Sequence, residues 1–595
     1  MITPMTKYSF VLLNGQQEGL VEQLQELGLM DITRSVKPMD ETSRKMSSNL
    51  DLLDGLIQGL RKVDVPEGTE VAFHQEEDLT RLAGGTLMLY SETRQQVKTL
   101  EKEVAATKIW GSFDREILDR LADAGVPFHF HKVSGKLYKE EWASEYVLAE
   151  VAREKDGVYF VVAGEDPLPG EIPIPSGDAS QKENALKGKE SFLHQLEGEI
   201  LGLQQRLPQL EALRSAEYAQ LDRYLAGVSA VPAAENTIVT LVGYAPTEKD
   251  AEVTETLERI GVFYLKEAAT VEDNPPIQLK NNWFVRQFET LTDMYGRPDY
   301  NEFDPTPYIS IFFLLFFAMC MGDAGYGLML IIGGILLKKV DGMKDLAPLV
   351  TILGIGTFVV GIVMHTFFGV DISTLSWIPG WLKSIMITGT IAGFEAQMVL
   401  ALIIGIIHLC LAMVVKTVYA TRNKGFLGSL GTWGWTLLIV GGVIVAALAM
   451  ASLLPPAVTK WIVIVLGVVS ALGIFLFNDI KRNPLKNIGA GLWETYNTVT
   501  GLLGDVLSYL RLYALGLAGG MLGKAFNDIA SMTLGDGSFG FGWIFFALIL
   551  VVGHALNLAM CCLGAFVHPL RLNFLEFFKN SAYDGKGRNY RPVKK

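Results

Sequence analysis

The sequence predicts an α-helical multi-pass membrane domain of about eight transmembrane helices, preceded by a cytoplasmic domain of α/β lobes and coiled-coil helices. Three observations carry that expectation. The 595-residue chain is 50% hydrophobic, but before Asp304-Pro305-Thr306-Pro307 no uncharged run approaches the ~20 residues a bilayer span needs, and after it such runs dominate. Leucines in the charged half recur at helical spacing. Short apolar, β-branched runs lie on either side of them. The division falls at 1–303 and 304–595.

In the first half, Lys7 to Leu13 reads as a strand, Leu20, Leu24 and Leu27 as the apolar stripe of a helix, and Gly28-Leu29-Met30 as the return to a strand. The same order recurs in Ile238 to Tyr244, Glu252 to Ile260 and Val262 to Leu265, with Gly243-Tyr244-Ala245-Pro246 as the turn after the first of these strands. Between these lobes Leu50, Leu53, Ile57 and Leu60, and later Leu193, Leu196, Ile200, Leu203, Leu210 and Leu213, mark helices expected to form coiled-coil arms. So few heptads leave an ordinary helical domain open as the alternative. Phe128 to Phe130 and Val158 to Val162 supply short strands for a globular lobe at the far end of the arms. The N-terminus has no signal-peptide pattern, which keeps this half in the cytoplasm.

Composition excludes several classes. A formal charge of −13 argues against a nucleic-acid partner. Cys320, Cys410, Cys561 and Cys562 fall in apolar segments without a CxxC spacing, so neither a disulfide framework nor a zinc site is expected. Gly523-Lys524 is the nearest approach to a phosphate loop, but Ala518 replaces its first glycine and Ala525 the Ser/Thr that would meet magnesium. No cofactor, metal or nucleotide site is expected.

Counted against a helix of about 20 residues, Leu346 to Val370, Ala396 to Val415, Phe426 to Leu453, Trp461 to Phe477, Leu502 to Met521 and Gly542 to Val567 read as spans. Tyr308 to Leu337 is interrupted by Met321-Gly322-Asp323-Ala324-Gly325-Tyr326-Gly327. Two tilted helices meeting at a glycine turn are expected there, with one long kinked helix as the alternative. Charge favours the hairpin. Only eight helices put Lys338 and Lys339, Arg422 and Lys424, Lys481, Arg482 and Lys486, and Arg571 with the basic tail, on the same positive-inside face as the charged half. Both termini are then cytoplasmic, and the loop from Asp371 to Lys383 is external.

Arg511 stands inside one of these apolar runs. Its guanidinium keeps its charge in a protein, and placing it mid-bilayer costs from about 3 to more than 10 kcal/mol. Snorkelling to a headgroup, or pairing with a carbonyl, is the structural explanation to weigh against a functional one. In the last apolar run His554, Asn557, Cys561, Gly564, His568 and Arg571 recur at steps of three and four and form one polar stripe. Singly, each histidine or asparagine reads equally well as a satisfied structural group; a whole stripe points to function. On the preceding helix Gly504, Ser508, Arg511, Leu515, Ala518 and Leu522 mark one face, and Gly516, Gly520 and Gly523 form a small-residue strip that another helix could approach closely.

The run Ser508-Tyr509-Leu510-Arg511-Leu512-Tyr513-Ala514-Leu515-Gly516-Leu517-Ala518 closely resembles the arginine-bearing helix of the membrane stator subunit of V-type and A-type rotary ATPases, known as the I subunit in bacteria and the a subunit elsewhere. Phe312 to Met319, followed by Gly-Asp-Ala-Gly-Tyr-Gly, is similar to that family's first membrane hairpin. His568-Pro569-Leu570-Arg571-Leu572 resembles its second arginine motif, at the cytoplasmic end of the last helix. These motifs stand in the family's order over essentially the whole chain. Gly519 and Cys561 depart from eukaryotic relatives, which carry a histidine and an acidic residue there, and eukaryotic targeting insertions are missing, as in bacterial or archaeal members.

The resemblance implies a stator protein that is not itself an enzyme, ATP chemistry belonging to other members of the complex. It implies that Arg511 faces a carboxylate on each protomer of a proteolipid rotor ring (the K or c ring), favours its ionised form by Coulomb attraction and so releases the carried proton or sodium ion. Two half-channels flank the arginine. Their candidate groups are Glu395, His408, Glu494, Asp505, Ser508, His554, Asn557 and His568, with Arg571 as the second arginine. A helix end beside water is the structural alternative for Glu395, and hydration near the cytoplasmic face that for Asp505. The resemblance further implies that the α/β lobes hold the peripheral stalks, built of the E and G or H proteins, and touch the central-stalk adaptor (C or d), the spans lying among the lipids of the plasma membrane. Two other classes fit less well. A self-contained secondary transporter would need its own substrate site in a repeated fold, and no repeat is visible; a non-transporting scaffold leaves Arg511 unexplained.

Overall fold

In the computed structural model the two strand–helix–strand patterns of the charged half converge on one sheet. Met5–Leu13 turns Tyr8, Phe10 and Leu12 inward and leaves Lys7, Ser9 and Val11 partly exposed, the period of two that a strand imposes. It lies between Ile238–Pro246 and Tyr264–Ala268, with Asp31–Ile32 beyond Ile238–Pro246. Its pairing with Tyr264–Ala268 is antiparallel, from Thr6 opposite Ala268 to Phe10 opposite Tyr264. The helices Gln17–Leu27 and Asp250–Ile260 both stop at a left-handed glycine, Gly28 at φ 63° and Gly261 at φ 75°. Those caps push each return strand later than the sequence suggested, to Asp31–Ile32 and Tyr264–Ala268. Gly243 is not part of a turn: it sits inside a strand, where a Cβ would lie 2.6 Å from Met30 Sδ. Lys7 Nζ, 2.5 Å from Asp273 Oδ1, together with Thr270, holds the Asp273 carboxyl down at about 2.

The structure describes residues 1–595 except 14, 34–39, 67, 73–77, 155–156, 165–167, 175–178, 230, 234–236, 341, 377, 392, 478–483, 535–540 and 594–595. Lys481 and Arg482 lie outside the described residues. The chain divides into two units, one of Met1–Val11, Leu29–Asp31 and Val242–Pro592, the other of Leu12–Gly28, Ile32–Leu241 and Val593–Lys595. In the second unit Leu79–Lys108 packs on Ala179–Gln205 and Glu41–Lys62 on Leu207–Val228, around a core that includes Leu53, Ile57, Leu60, Leu196, Ile200 and Leu203. The later arm is not one helix. It breaks at Arg206 with Pro208 in the first turn of the next helix, and Leu213 is exposed. A four-stranded antiparallel sheet, Leu148–Glu154, Gly157–Ala163, Phe128–Val133 and Glu171–Ile172 in that order, forms the separate lobe, with Trp110 and Phe113 packed 5.2 and 5.5 Å from Phe130.

Among the described residues of the apolar half, five helices are long and apolar enough to cross a membrane: Ala396–Gly428, Leu430–Met450, Pro456–Phe475, Leu485–Met532 and Phe541–Ser581. Thr306–Met321, Ala324–Leu337 and Ala347–Val363 are apolar but shorter. The first two are a true hairpin, since Gly322 takes the left-handed conformation at φ 59° and Asp323 caps the second helix. Several span boundaries move. Ala347–Val363 stops before Val370 because Thr366–Phe367 and Val370–Asp371 pair with each other instead. Ala396–Gly428 runs past Val415 into charged residues and turns at Gly425, φ 74°. The 48-residue Leu485–Met532 is about 72 Å long at 1.5 Å per residue and breaks at Tyr509, inside the stretch expected as a single span.

Close approach of Ala324–Leu337 to Ala347–Val363 depends on absent side chains. A Cβ on Gly361 would overlap Ala324 N, one on Gly327 would overlap Phe358 N, and one on Gly354 would come 2.7 Å from Ile331 N. Gly361→Val is therefore expected to destabilise the solubilised protein by about 2 kcal/mol or more, read as a lower melting temperature. Gly333→Ala, whose Cβ would meet nothing within 4 Å, should leave it unchanged.

Candidate functional site

Arg511 owes its position to the residue two before it. Tyr509, which separates Pro484–Ser508 from Leu510–Met532, is fully buried, and its ring occupies the space that a Cβ on Gly405 would need. Its hydroxyl meets His408 Nδ1 at 2.9 Å, and His408 stacks on Phe577 with ring centroids 4.8 Å apart. His408 is thus enclosed by aromatic rings and fixes the break in the helix. Arg511 is half-buried, with Nη1 3.4 Å from His568 Nδ1 on the last helix. Among the described residues no carboxylate lies within ion-pair distance of it. Ser508 Oγ donates back to Gly504 O at 3.0 Å, and Arg571 is exposed.

The upper part of the last helix's polar stripe, His554 to Cys561, meets neighbouring segments, and its hydrogen bonds run in one direction. Asn527 Nδ2 donates to Phe368 O at 2.7 Å, so Asn527 Oδ1 faces His554 Nε2 at 3.0 Å and that nitrogen carries the hydrogen. In the Nε2–H tautomer His554 Nδ1 accepts from the Tyr326 hydroxyl at 2.8 Å. The Tyr326 oxygen accepts from Asn557 Nδ2 at 2.8 Å, and the same amide donates to Gly519 O at 2.9 Å. Cys561 Sγ reaches Asn557 Oδ1 at 3.3 Å. Above this seam Asp323, fully buried, accepts from the backbone N–H groups of Gly325 (2.8 Å), Tyr326 (3.2 Å), Phe368 (2.8 Å) and Gly369 (2.7 Å). The glycine strip is approached by the end of Thr306–Met321 and by the loop after Ala347–Val363: a Cβ on Gly516 would lie 2.6 Å from Met319 O, and one on Gly523 3.2 Å from Gly369 Cα.

Two cavities lie at opposite ends of the arginine segment. One, of about 490 Å³, is lined by Glu395, His365, Asp371, Tyr513 and Lys524, among others, and the Tyr513 hydroxyl donates to the Glu395 carboxylate. The other, of about 250 Å³, is lined by Glu494, Asp505, Lys416, Lys579 and Asn580, among others. Asp505 Oδ2 accepts from Asn580 Nδ2 at 2.8 Å and lies 3.5 Å from Lys579 Nζ. Asp505 and Lys524 are roughly 28 Å apart along the helix axis, with Arg511 between them.

The structure therefore joins Arg511 to His568, His554 to Asn557 through Tyr326, and Glu494 to Asp505 through one cavity; Glu395 stands at the other cavity and His408 apart from both. Sequence reasoning missed Tyr326, Tyr513, Asn527, Lys579 and Asn580. Asn527 did carry a signal, since it continues the Gly516, Gly520, Gly523 strip at a step of four.

The chain matches the V-type ATPase 116kDa subunit family over residues 228–346 and 492–595, the second stretch containing Arg511 and the polar seam of the last helix. It is 32% identical over 365 residues to the A-type ATP synthase subunit I of Pyrococcus abyssi, covering 59% of this chain and 53% of the relative. To that of Methanocaldococcus jannaschii it is 31% identical over 459 residues, covering 71% and 64%. To the V-type ATP synthase subunit I of Borreliella burgdorferi it is 25% identical over 621 positions, covering 100% of both. The chain thus spans between about half and two thirds of the length of the first two relatives and all of the third.

Replacing Asp323 tests the anchoring of the seam. Asp323→Ala orphans buried backbone donors at about 1–3 kcal/mol each, so the solubilised protein should melt lower and the 366–371 loop should become open to protease. Asp323→Asn keeps one acceptor oxygen and should lie between that variant and wild type.

Proposed function

Since the chain belongs to the family of V-type and A-type ATP synthase subunits I, we propose that it is the membrane stator of such a rotary complex, coupling proton or sodium movement to rotation and itself free of nucleotide chemistry. The observation that carries the reading is Arg511: a half-buried guanidinium with a histidine, and among the described residues no carboxylate, beside it, lying between a cavity lined by residues before it in the chain and one lined by residues after it. A cation that meets no carboxylate among the described residues is available to a mobile carboxylate from outside. At about 4 Å and an effective dielectric near 20 the attraction is about 4 kcal/mol, enough to favour the ionised carboxylate and release the ion it carries. When the carboxylate moves on, it reloads from the other cavity. The fixed cation between the cavities repels a proton or sodium ion taking a direct path. On this reading Glu395 and Tyr513 serve the external half-channel, Glu494 and Asp505 the cytoplasmic one, and His568 and Arg571 flank the rotor face, while His554 and Asn557 hold the hairpin against the last helices.

Eight crossings are supported by parity. The tail after the last helix is hydrogen-bonded to the segment before the first: Gly587 N donates to Arg297 O at 2.9 Å and the Tyr583 hydroxyl to Gly296 O at 2.7 Å. An even number of crossings must separate those partners, so the five long helices require an odd number from the three short ones, and the hairpin plus Ala347–Val363 supply it. The cytoplasmic side then holds residues 1–303 and the tail. On the same family grounds, the partners are a proteolipid rotor ring, the E and G or H proteins of the peripheral stalks, and the central-stalk adaptor, with the paired, coiled-coil-like arms bearing the torque.

Arg511→Ala should leave the complex assembled and abolish ATP-driven ion transport in reconstituted vesicles, and Arg511→Lys should retain little, because an ammonium lacks the fixed charge and the donor fork. Normal pumping by Arg511→Ala would refute the assignment. In the topology, single cysteines at positions 300 and 586 should label from one side of the membrane and one at position 380 from the other. Labelling of 300 and 586 from opposite sides would refute the eight-crossing arrangement.

A further inference from the structure

The last helix continues beyond its π turn at Leu572–Phe577 to Ser581, where Ala582, left-handed at φ 56°, reverses the chain. Tyr583 folds back, its ring 4.4 Å from Phe578 and 5.6 Å from Phe303. From there the backbone follows the segment that precedes the membrane helices. Asp584 N donates to Glu302 Oε1 at 2.7 Å, Ile277 N to Arg588 O at 2.6 Å, and Tyr590 N to Ile277 O at 3.1 Å. Beyond that, the Tyr590 hydroxyl donates to Leu29 O at 2.5 Å and Arg591 N to Asp31 Oδ2 at 2.8 Å, beside the sheet. Glycines let the chains touch: a Cβ on Gly587 would overlap Pro298 O, and one on Gly296 would overlap Gly585 O. Mostly main-chain bonding of this kind adds the tail to the fold as an extra strand is added to a sheet edge.

The start of the same segment reaches the smaller cavity. Lys579 and Asn580 both address Asp505 Oδ2, and Asn580 Nδ2 also donates to Glu576 O at 2.7 Å, so helix geometry sets its place. Asp505 is six residues before Arg511, about 9 Å along the axis. We propose that residues 579–592 form a return strap that positions Asp505 at the cytoplasmic cavity through Lys579 and Asn580 and ties that position to the sheet. The proposal rests on reading the cavity as the cytoplasmic ion path. Lys579 and Asn580 are positioning residues: they hold a carboxylate that lines the cytoplasmic half-channel, and the strap gives the last helix a second, non-covalent connection to the sheet that keeps this geometry while the protein bears load.

The test uses the intact complex in vesicles, reading ions moved per ATP hydrolysed. Lys579→Ala with Asn580→Ala should lower that ratio about two- to fivefold, the size expected of a partly exposed charge-assisted contact. In an Asp505→Asn background the same pair should lower it no further, because both act through Asp505. Gly587→Val, at the other end of the strap, should reproduce this loss and this lack of additivity; if that complex does not assemble, the milder Tyr590→Phe decides. Additive losses in the Asp505→Asn background, or a normal ratio in the strap variant, overturn the strap alone. A normal ratio in Asp505→Asn itself overturns the cavity reading and the strap with it.

Discussion

The buried carboxylate of Asp323 is the constraint around which the membrane half is organised. Burying such a group with no cation beside it is unfavourable unless hydrogen bonds replace its water, and the described residues offer it backbone donors alone. Two of these open the second hairpin helix and two lie in the loop after the third, so one side chain ties two segments together. Because the donors belong to the main chain, their geometry sets the path of Phe368 and Gly369, and Gly369 can then approach Gly523 of the arginine helix. Tyr326, one turn into the capped helix, is aimed at His554 and Asn557 by the same cap.

A second constraint acts at Tyr509. A long apolar helix would carry Arg511 wherever its periodicity led. The break at Tyr509, locked by His408 and the space at Gly405, sets the phase of the following helix and brings Arg511 beside His568. His408 therefore influences the arginine through structure, and its enclosure by Phe312 and Phe577 leaves it remote from either cavity. Tyr326, His554 and Asn557, bonded to one another, hold helices together, whereas Glu395, Glu494 and Asp505 stand at cavities that water can fill.

The charged half follows a different logic. Its sheet buries alternate residues of Met5–Leu13, and its arms bury leucines in pairs of helices, so hydrophobic area outweighs any single polar contact. The tail adds main-chain hydrogen bonds to the segment between sheet and membrane helices, and at Gly587 and Gly296 the two backbones meet.

By itself the sequence determined what rests on local pattern. Periodicities of two and of three to four residues located the strands and arms, length and absence of charge located the apolar helices, and Gly322-Asp323 announced the hairpin turn. The linear motifs located Arg511 and the polar stripe of the last helix. What depended on distant partners stayed hidden. The turn at Phe368-Gly369 is held by Asp323, 45 residues earlier, and the break at Tyr509 by His408 and Gly405. Tyr326, Lys579 and Asn580 join the site only because the fold carries them to His554 and Asp505. Tertiary structure alone decided these points, because a hydrogen bond or a close approach between segments 45 to 228 residues apart leaves no periodic trace in either one.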